Sequence, residues 1–440
     1  MLLQPFRDTN GLLAAVPLPD LVMLRQRFPR PRITDVSAAV IAAFESVRAR
    51  IRPGARIAIG VGSRGVADIV PVVVTLVATL RRYGAEPFII PAMGSHGGAT
   101  PEGQLAVLAS LGITEQALGV PIVSSLDVDV LGKLPNGMPV YIDRAAHAAD
   151  GIILVNRVKP HTDFDAEIES GLSKMVAIGL GKHAGALEVH AWGVEGLTTH
   201  MPEVAKFVAA HAPLLCGLAT VENGYDEVAE VAAILPEGIA NEPERALLRR
   251  AKELMPRLPW DALDVLVIDE MGKNVSGAGM DPNIIGRMRA VDQQKPTAAR
   301  ITNITVHNLT DESHGNAIGL GNADFTTARL VEKLDLQALY INSLTAGVIA
   351  LNSCKIPLVL PDDRSAIQAA IRSCGRADPT RVRLARIENT LRLEYILASV
   401  QSLEHLRSAA DVEVLGPAMP FSFEPDGSPT PFASLARAQV

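Results

Sequence analysis

Short apolar segments alternate with glycine-rich loops and helical patterns along much of the chain. Residues 56–61, 87–90, 151–155 and 263–268 form nearly continuous apolar runs, which is typical of strands buried on both faces of a parallel sheet. The first run leads through the loop GSRG into a helical pattern that reaches Leu80. This alternation predicts an α/β fold with largely parallel sheets.

Helix signals and breaks in the pattern predict how the chain divides. Thr100 is placed to cap a helix that has Pro101 at its first position, and residues 242–254 form a charged amphipathic pattern. The sequence MPRLPWDA at residues 255–262 interrupts that pattern before a new strand. We expect two α/β domains, at residues 1–260 and 261–440, and a surface-bound or mobile tail after Gly416, where the sequence is rich in proline and lacks periodicity.

Composition excludes several functional classes. The 440 residues carry a net charge of -7 spread along the chain, so we expect neither a nucleic-acid partner nor an anionic membrane partner. The uncharged run at residues 69–80 has 12 residues, too few to cross a bilayer, and no signal peptide is evident. The three cysteines have no CxxC spacing, which favours a reducing compartment. We therefore expect a cytoplasmic protein.

Four charged or ionisable residues follow predicted strands directly. Arg64, His96, His161 and Lys273 each lie just past the carboxyl end of a strand, the edge at which open α/β sheets bind ligands. Arg64 could hold a carboxylate in a bidentate pair, His96 and His161 could act as acid or base, and Lys273 could bind a phosphate or carboxylate. The alternative for each is an ordinary loop residue that closes a turn, packs against backbone or is solvated.

A second group of ionisable residues lies on an apolar background. Lys174 stands between Leu172 and Met175 in SGLSKMVAIGL, and His183 and His190 follow seven residues apart. A cation in such surroundings suggests chemistry or a bound anion, although it could also extend to the surface. The two histidines would share one helix face about two turns apart, which is too far for both to chelate one metal ion.

These residues resemble the nickel-pincer-nucleotide lactate racemases and related 2-hydroxy-acid racemases and epimerases. The resemblance extends from about Arg56 to Phe325, and its most specific part is SGLSK followed by His190, 16 residues after Lys174. In that family this lysine carries the nickel-pincer nucleotide through a covalent thioamide and this histidine ligates nickel. The resemblance thus implies that Lys174 is the tether and His190 the nickel ligand.

The remaining site residues follow from the same resemblance. His96 in GSHGG and His161 in KPH match the family's catalytic histidines, and Arg64 and Lys273 match its carboxylate-binding residues. Two departures stand out: Val61 replaces the family's aspartate before that arginine, and the spacing from His161 to Lys174 is three residues longer. The resemblance implies an N-terminal catalytic and cofactor-binding domain and a C-terminal domain that closes an active site at the domain interface.

The implied reaction inverts the α-carbon of a lactate-like 2-hydroxy acid by hydride transfer. Two histidines on separate loops suit it, because each face of the planar keto acid needs its own base, and the hydride acceptor must be a cofactor. Expected partners are the small substrate and the enzymes that make and insert the cofactor. A polar substrate would need further contacts, for which Asn274, His307, His314 and Asn316 are candidates. The alternatives are an oxidoreductase with a dissociable nicotinamide and a non-catalytic protein that binds a phospho-ligand or metal.

Overall fold

The predicted alternation of strands and helices is present in the structure, a computed structural model that describes residues 4–63, 65–288, 293–295, 297–407 and 411–437. The chain divides into two compact units. We call Pro29–His161 with Asp165–Met255 the central unit, and Met1–Phe28, Thr162–Phe164 and Pro256–Val440 the terminal unit.

The strands and helices have the following bounds. The strands are β1 (Leu21–Gln26), β2 (Arg56–Val61), β3 (Glu86–Pro91), β4 (Val128–Lys133), β5 (Pro139–Asp143), β6 (Gly151–Arg157), β7 (Leu214–Glu222), β8 (Val228–Ile234), β9 (Ala262–Ile268), β10 (Arg287–Met288), β11 (Gln293–Gln294), β12 (Arg300–Val306), β13 (Phe325–Thr327), β14 (Leu358–Leu360), β15 (Leu384–Ile387), β16 (Tyr395–Ser399) and β17 (Val412–Met419). The α-helices are α1 (Val36–Phe44), α2 (Ile69–Arg82), α3 (Pro101–Ser110), α4 (Glu115–Leu118), α5 (Arg144–His147), α6 (Leu172–Lys174), α7 (Lys182–Ala191), α8 (Gly193–Glu195), α9 (Met201–His211), α10 (Glu242–Leu254), α11 (Pro282–Ile285), α12 (Ala328–Glu332), α13 (Leu336–Ala346), α14 (Val348–Leu351), α15 (Asp363–Ser373) and α16 (Phe432–Arg437).

The central unit is built on a five-stranded sheet with the order β3-β2-β6-β7-β8. The first four strands are parallel, and β8 pairs antiparallel with β7. The chain passes from β2 outward to β3 and then crosses to β6 on the other side of β2. The neighbours β2 and β6 therefore form a topological switch point, where open α/β sheets bind ligands beyond the carboxyl ends of the strands.

Helices and buried apolar residues position this sheet. The side chains of Val72, Val73, Leu76 and Leu80 on α2 are fully buried or nearly so and belong to one core with Ile57, Ile59 and Val61 of β2. The Thr100 hydroxyl accepts a hydrogen bond from the Gly103 N–H at 3.0 Å, and Pro101 is the first residue of α3. The predicted cap of this helix is confirmed.

The terminal unit contains an eight-stranded sheet with the order β14-β13-β12-β9-β15-β16-β1-β17. The five strands from β14 to β15 are parallel, and the last three pair antiparallel. Helix α15 contributes Ala366, Ile367, Ala370 and Ile371 to its core. The predicted α/β class with largely parallel sheets is confirmed in both units.

The compact units differ from the predicted division at residue 260. The N-terminal strand β1 pairs with β16 and β17, so residues up to Phe28 belong with the C-terminal half. The prediction of a surface-bound or mobile end after Gly416 is wrong for part of the segment, because β17 extends to Met419 and Phe421 and Phe432 are buried in the core. Sequence periodicity missed β17 because most of its side chains are exposed on both faces.

None of the helices within the described residues is both long enough and apolar enough to span a membrane.

Candidate active site

The loop that carries His96 is held by close backbone packing. It follows β3, and Gly94, Gly97 and Gly98 adopt positive φ. A Cβ on Gly103 would lie 1.9 Å from the Gly97 carbonyl oxygen, so only glycine permits this approach of loop and α3. The buried Gln104 amide donates to the carbonyls of Gly94 at 2.9 Å and His96 at 3.3 Å. The loop therefore has a fixed path, although the His96 side chain is exposed.

Ser63, which sequence reasoning did not select, contacts His96. Its hydroxyl hydrogen-bonds to His96 Nδ1, so the loop after β2 orients a ring on the loop after β3. Because Nδ1 is engaged by this hydroxyl, a proton exchanged with a ligand would involve Nε2. The signal available in the sequence was the position of Ser63, two residues after the end of β2.

His161 lies at the end of a buried segment beyond β6. It is 9% exposed, and its backbone N–H donates to Glu169 Oε2 at 2.6 Å. Its Nε2 lies 2.8 Å from the Nζ atom of Lys174. The structure thus brings together two residues that the sequence separates by a loop of twelve.

Lys174 is the last residue of the α-helical turn α6, which continues into a π-helical segment at Met175–Leu180, and it is half-buried. The helix begins after Gly171, whose carbonyl accepts from the Asn156 amide at 3.0 Å and from the Met175 N–H at 3.1 Å. Asn156 belongs to β6, so this bond ties the Lys174 turn to the carboxyl end of the sheet. Lys174 therefore lies at the predicted ligand-binding edge, with its amine against an imidazole.

His190 shares helix α7 with His183, as the sequence predicted. Its Nδ1–H donates to the Ala186 carbonyl at 2.7 Å, which leaves the lone pair on Nε2. Burial lowers the pKa of His190, the Ala186 carbonyl acts in the opposite direction, and the nearby Lys174 ammonium lowers the pKa further. The ring is therefore a neutral imidazole at neutral pH, which is the form that ligates a metal ion.

Of the two predicted carboxylate-binding residues, one can be described. Lys273 lies in the terminal unit, where its Nζ donates to the Gly277 carbonyl at 2.7 Å and its N–H donates to Ser313 Oγ at 2.9 Å. Arg64 lies outside the described residues. The role of both in binding substrate stays a prediction.

Lys182 is a buried lysine that sequence reasoning missed. It is 0% exposed, has φ of +54° at the start of α7, and forms an ion pair of 2.7 Å with Asp143 Oδ2. Its Nζ also donates to the Pro91 carbonyl at 2.6 Å. Because Pro91 ends the strand that leads to His96, and α7 carries His190, this lysine joins the supports of two candidate site residues. The signal was its apolar background, GLGK, which resembles that of Lys174.

Polar candidates for substrate contacts differ in their accessibility. His307 is 0% exposed, and its ring nitrogens lie 2.9 Å from Asp363 Oδ1 and 3.1 Å from Thr305 Oγ1. The ring is thus buried within the terminal unit, with Nε2 hydrogen-bonded to Thr305 and Nδ1 beside the Asp363 carboxylate. His314 is exposed, in a left-handed conformation with φ of 47°. Within the described residues, no group of three or more His, Cys, Asp or Glu side chains is arranged to hold a metal ion.

Comparison with known proteins identifies one part of the chain. Residues 44–195 match the family model of the lactate racemase N-terminal domain, a segment that includes His96, His161, Lys174 and His190. The match spans roughly a third of the chain. Residues 44–195 are therefore similar to the lactate racemase N-terminal domain, and the resemblance inferred from the sequence is confirmed for these residues.

No curated protein matches the chain. The structure of the lactate racemase apoprotein from Thermoanaerobacterium thermosaccharolyticum is similar over 80% of this chain and 86% of that chain, with 16% sequence identity and a TM-score of 0.49.

Proposed function

We propose that this protein is a racemase or epimerase that inverts the α-carbon of a lactate-like 2-hydroxy acid, with a nickel-pincer nucleotide as its cofactor. The observation that supports this best is the arrangement of Lys174, His161 and His190 inside the lactate racemase N-terminal domain. Lys174 Nζ lies 2.8 Å from His161 Nε2 and close enough to His190 to lower its pKa.

The side chains present suit the cofactor. His190 offers a neutral Nε2 lone pair because its Nδ1–H is bonded to Ala186, and imidazole is a suitable ligand for nickel. Lys174 offers a half-buried amine on a turn fixed to β6. We assign His190 as the nickel ligand and Lys174 as the covalent tether. When bound, the cofactor supplies the hydride acceptor that no side chain provides.

The two histidines take the roles of acid and base. A base must remove the hydroxyl proton as hydride leaves the α-carbon, and an acid must return it after inversion. His161 is held by its backbone and beside Lys174, and the His96 ring is oriented by Ser63. We assign one histidine to each face of the keto acid, with Arg64 and Lys273 binding the substrate carboxylate.

The test is coexpression of the chain with the enzymes that make the pincer cofactor, which are its proposed partners. We expect intact-mass analysis to show an adduct on Lys174, elemental analysis to show nickel, and a chiral screen to identify a 2-hydroxy acid that racemises. Lys174→Ala should lose the adduct, with Lys206→Ala as the matched control. His190→Ala should lose nickel, with His183→Ala on the same helix as its control.

The histidine variants separate this proposal from its alternatives. His96→Ala and His161→Ala should keep the adduct and lose racemisation by about 10²–10⁴-fold, the usual contribution of a general acid or base. A dissociable nicotinamide would leave the polypeptide mass unmodified. A chain that contains neither adduct nor nickel after coexpression, and that racemises no 2-hydroxy acid, would refute the proposal.

A further inference from the structure

Helix α10 (Glu242–Leu254) carries two charged side chains that are linked to Lys174 and His161, one through Ser173 and the other through Glu169. Its first turn carries Glu244, which is 2% exposed, and its last turn carries Lys252, whose side chain is 34% exposed. The two are eight residues apart, about 12 Å along a helix. All of these residues belong to the central unit.

Glu244 closes the start of the turn that bears Lys174. Gly171, the residue before α6, has no side chain to cap the helix, and Glu244 takes that place from another element. Its Oε1 accepts from the Ser173 N–H at 2.8 Å, and its Oε2 accepts from the Ser173 hydroxyl at 2.6 Å and from the Ala240 N–H at 2.9 Å. A Cβ on Gly171 would lie 2.8 Å from Glu244 Oε1. A side chain at this position would therefore crowd the Glu244 carboxylate, whereas the backbone φ of 174° is open to any residue.

Lys252 acts on the other member of the pair through a second buried carboxylate. Its Nζ lies 2.5 Å from Glu169 Oε1 and 2.7 Å from Asp165 Oδ1. Glu169, which is 2% exposed, uses Oε2 to accept the His161 N–H at 2.6 Å. Burial alone would lower the pKa of Lys252, but its bonds to Asp165 and Glu169 raise it, so the ammonium keeps its charge against Glu169.

We propose that α10 is a positioning element that sets Lys174 against His161, with Glu244 fixing the lysine turn and Lys252 fixing the histidine backbone through Glu169. The inference rests on the proposed function in one respect, because that function is why the contact between Lys174 and His161 matters. Its geometry is independent of that function. Productive sites require their groups to be held within about 0.5 Å, and here each partner of the 2.8 Å contact has its own carboxylate anchor.

The substitution Glu244→Gln tests the first anchor at constant volume. A glutamine has one oxygen and one NH₂ group, so in either orientation its NH₂ faces a backbone N–H, that of Ser173 or that of Ala240. Lys252→Met tests the second anchor because it removes the cation beside Glu169. Lys252→Arg keeps the cation and is the rescue variant. Glu253→Gln, which alters an exposed carboxylate on the same helix paired with Arg250, is the matched control.

The measurement is the rate at which acetic anhydride acylates Lys174 in the cofactor-free chain, followed by peptide mass spectrometry. Acylation of the exposed Lys206 measures the reactivity of the reagent in each sample. Acylation of the fully buried Lys182 indicates opening of the whole central unit. We expect Glu244→Gln and Lys252→Met to raise the Lys174 rate about fivefold, the effect of one hydrogen bond, while Lys182 stays protected. Lys252→Arg and Glu253→Gln should leave it unchanged.

Each outcome bears on the inference. If Lys174 reacts at the wild-type rate in both test variants, or if Lys174 and Lys182 become reactive together, the carboxylates serve only the stability of the fold and the inference is refuted. Should Glu244→Gln not fold, Ser173→Ala and Lys252→Met carry the same comparison. Because the assay needs neither cofactor nor substrate, a wild-type chain without racemase activity refutes the proposed function and leaves this result standing.

Discussion

Replacing Lys182 by methionine is the sharpest test of how the central unit holds its site. The ammonium is 0% exposed, pairs with Asp143 Oδ2 at 2.7 Å and donates to the Pro91 carbonyl at 2.6 Å. Methionine keeps most of the side-chain volume and the strained φ of +54° stays the same. The substitution therefore isolates the charge and its two contacts.

The expected loss of stability follows from the buried carboxylate that remains without its partner. Breaking a buried ion pair from one side costs about 3–5 kcal/mol, because the remaining charge is uncompensated. Asp143 is 1% exposed but retains one bond, accepting the Ala146 N–H through Oδ1 at 2.8 Å, so we expect the lower end, about 3 kcal/mol. In the double variant Lys182→Met/Asp143→Asn neither charge remains. Its loss of unfolding free energy should be about 1–2 kcal/mol smaller than the sum of the losses in the two single variants.

The assay is urea unfolding read by alkylation of Cys216, a fully buried thiol in the core of the central unit. It reports this unit separately from the terminal one, which matters because a chain with two units need not unfold in one step. Lys206→Met, an exposed change in the same unit, should stay within about 0.5 kcal/mol of wild type. A Lys182→Met chain as stable as this control, or single and double variants whose costs simply add, would refute the reasoning.

Two further predictions concern titration. Burial raises the pKa of Cys216 to about 12, so iodoacetamide at pH 8 should modify this thiol only when the core opens. Its alkylation should be far slower than that of the half-buried Cys354. Equal alkylation rates of the two thiols in a peptide time course would contradict this. Burial, reinforced by Lys174 and opposed by Ala186, lowers the pKa of His190 below its ordinary value of about 6.5. As the pH falls below that value the unfolded chain takes up a proton that the native ring does not, so stability should decrease, and His190→Gln should flatten this slope where His183→Gln does not.

The local part of the architecture could be predicted from sequence. Strands β2, β3, β6 and β9 appear as apolar runs, and His96 and His161 follow the carboxyl ends of two parallel strands of one sheet. These features depend on neighbours within a few residues, so a single sequence contains them. The pairing of β1 with β17 cannot be predicted in this way, because it joins the two ends of the chain and β17 is only partly buried.

The supports of the site were missed for a related reason. Glu244 lies in an acidic first turn, where a carboxylate normally interacts with the helix dipole in solvent, and its partner Ser173 is 71 residues away. Lys182 and Pro91 are 91 residues apart. Only the fold shows that these charges are buried.

The placement of buried charge argues for orientation over stability as its main role. In the described part of the central unit, the aspartate, glutamate, lysine and arginine residues that are at most 2% exposed as whole residues are Asp143, Glu169, Lys182 and Glu244. Well-packed apolar residues stabilise a fold at least as well as buried ion pairs, so stability alone does not explain four ionisable groups in this core. These groups contact segments that carry candidate site residues. Glu169 accepts the His161 N–H, and Glu244 bonds to Ser173, the residue before Lys174. Asp143 pairs with Lys182, which in turn bonds to the end of the strand before His96. A hydrogen-bonded charge fixes direction as well as distance, which apolar packing does not. An apolar replacement of any of the four should therefore disturb the placement of these site residues even where the chain still folds.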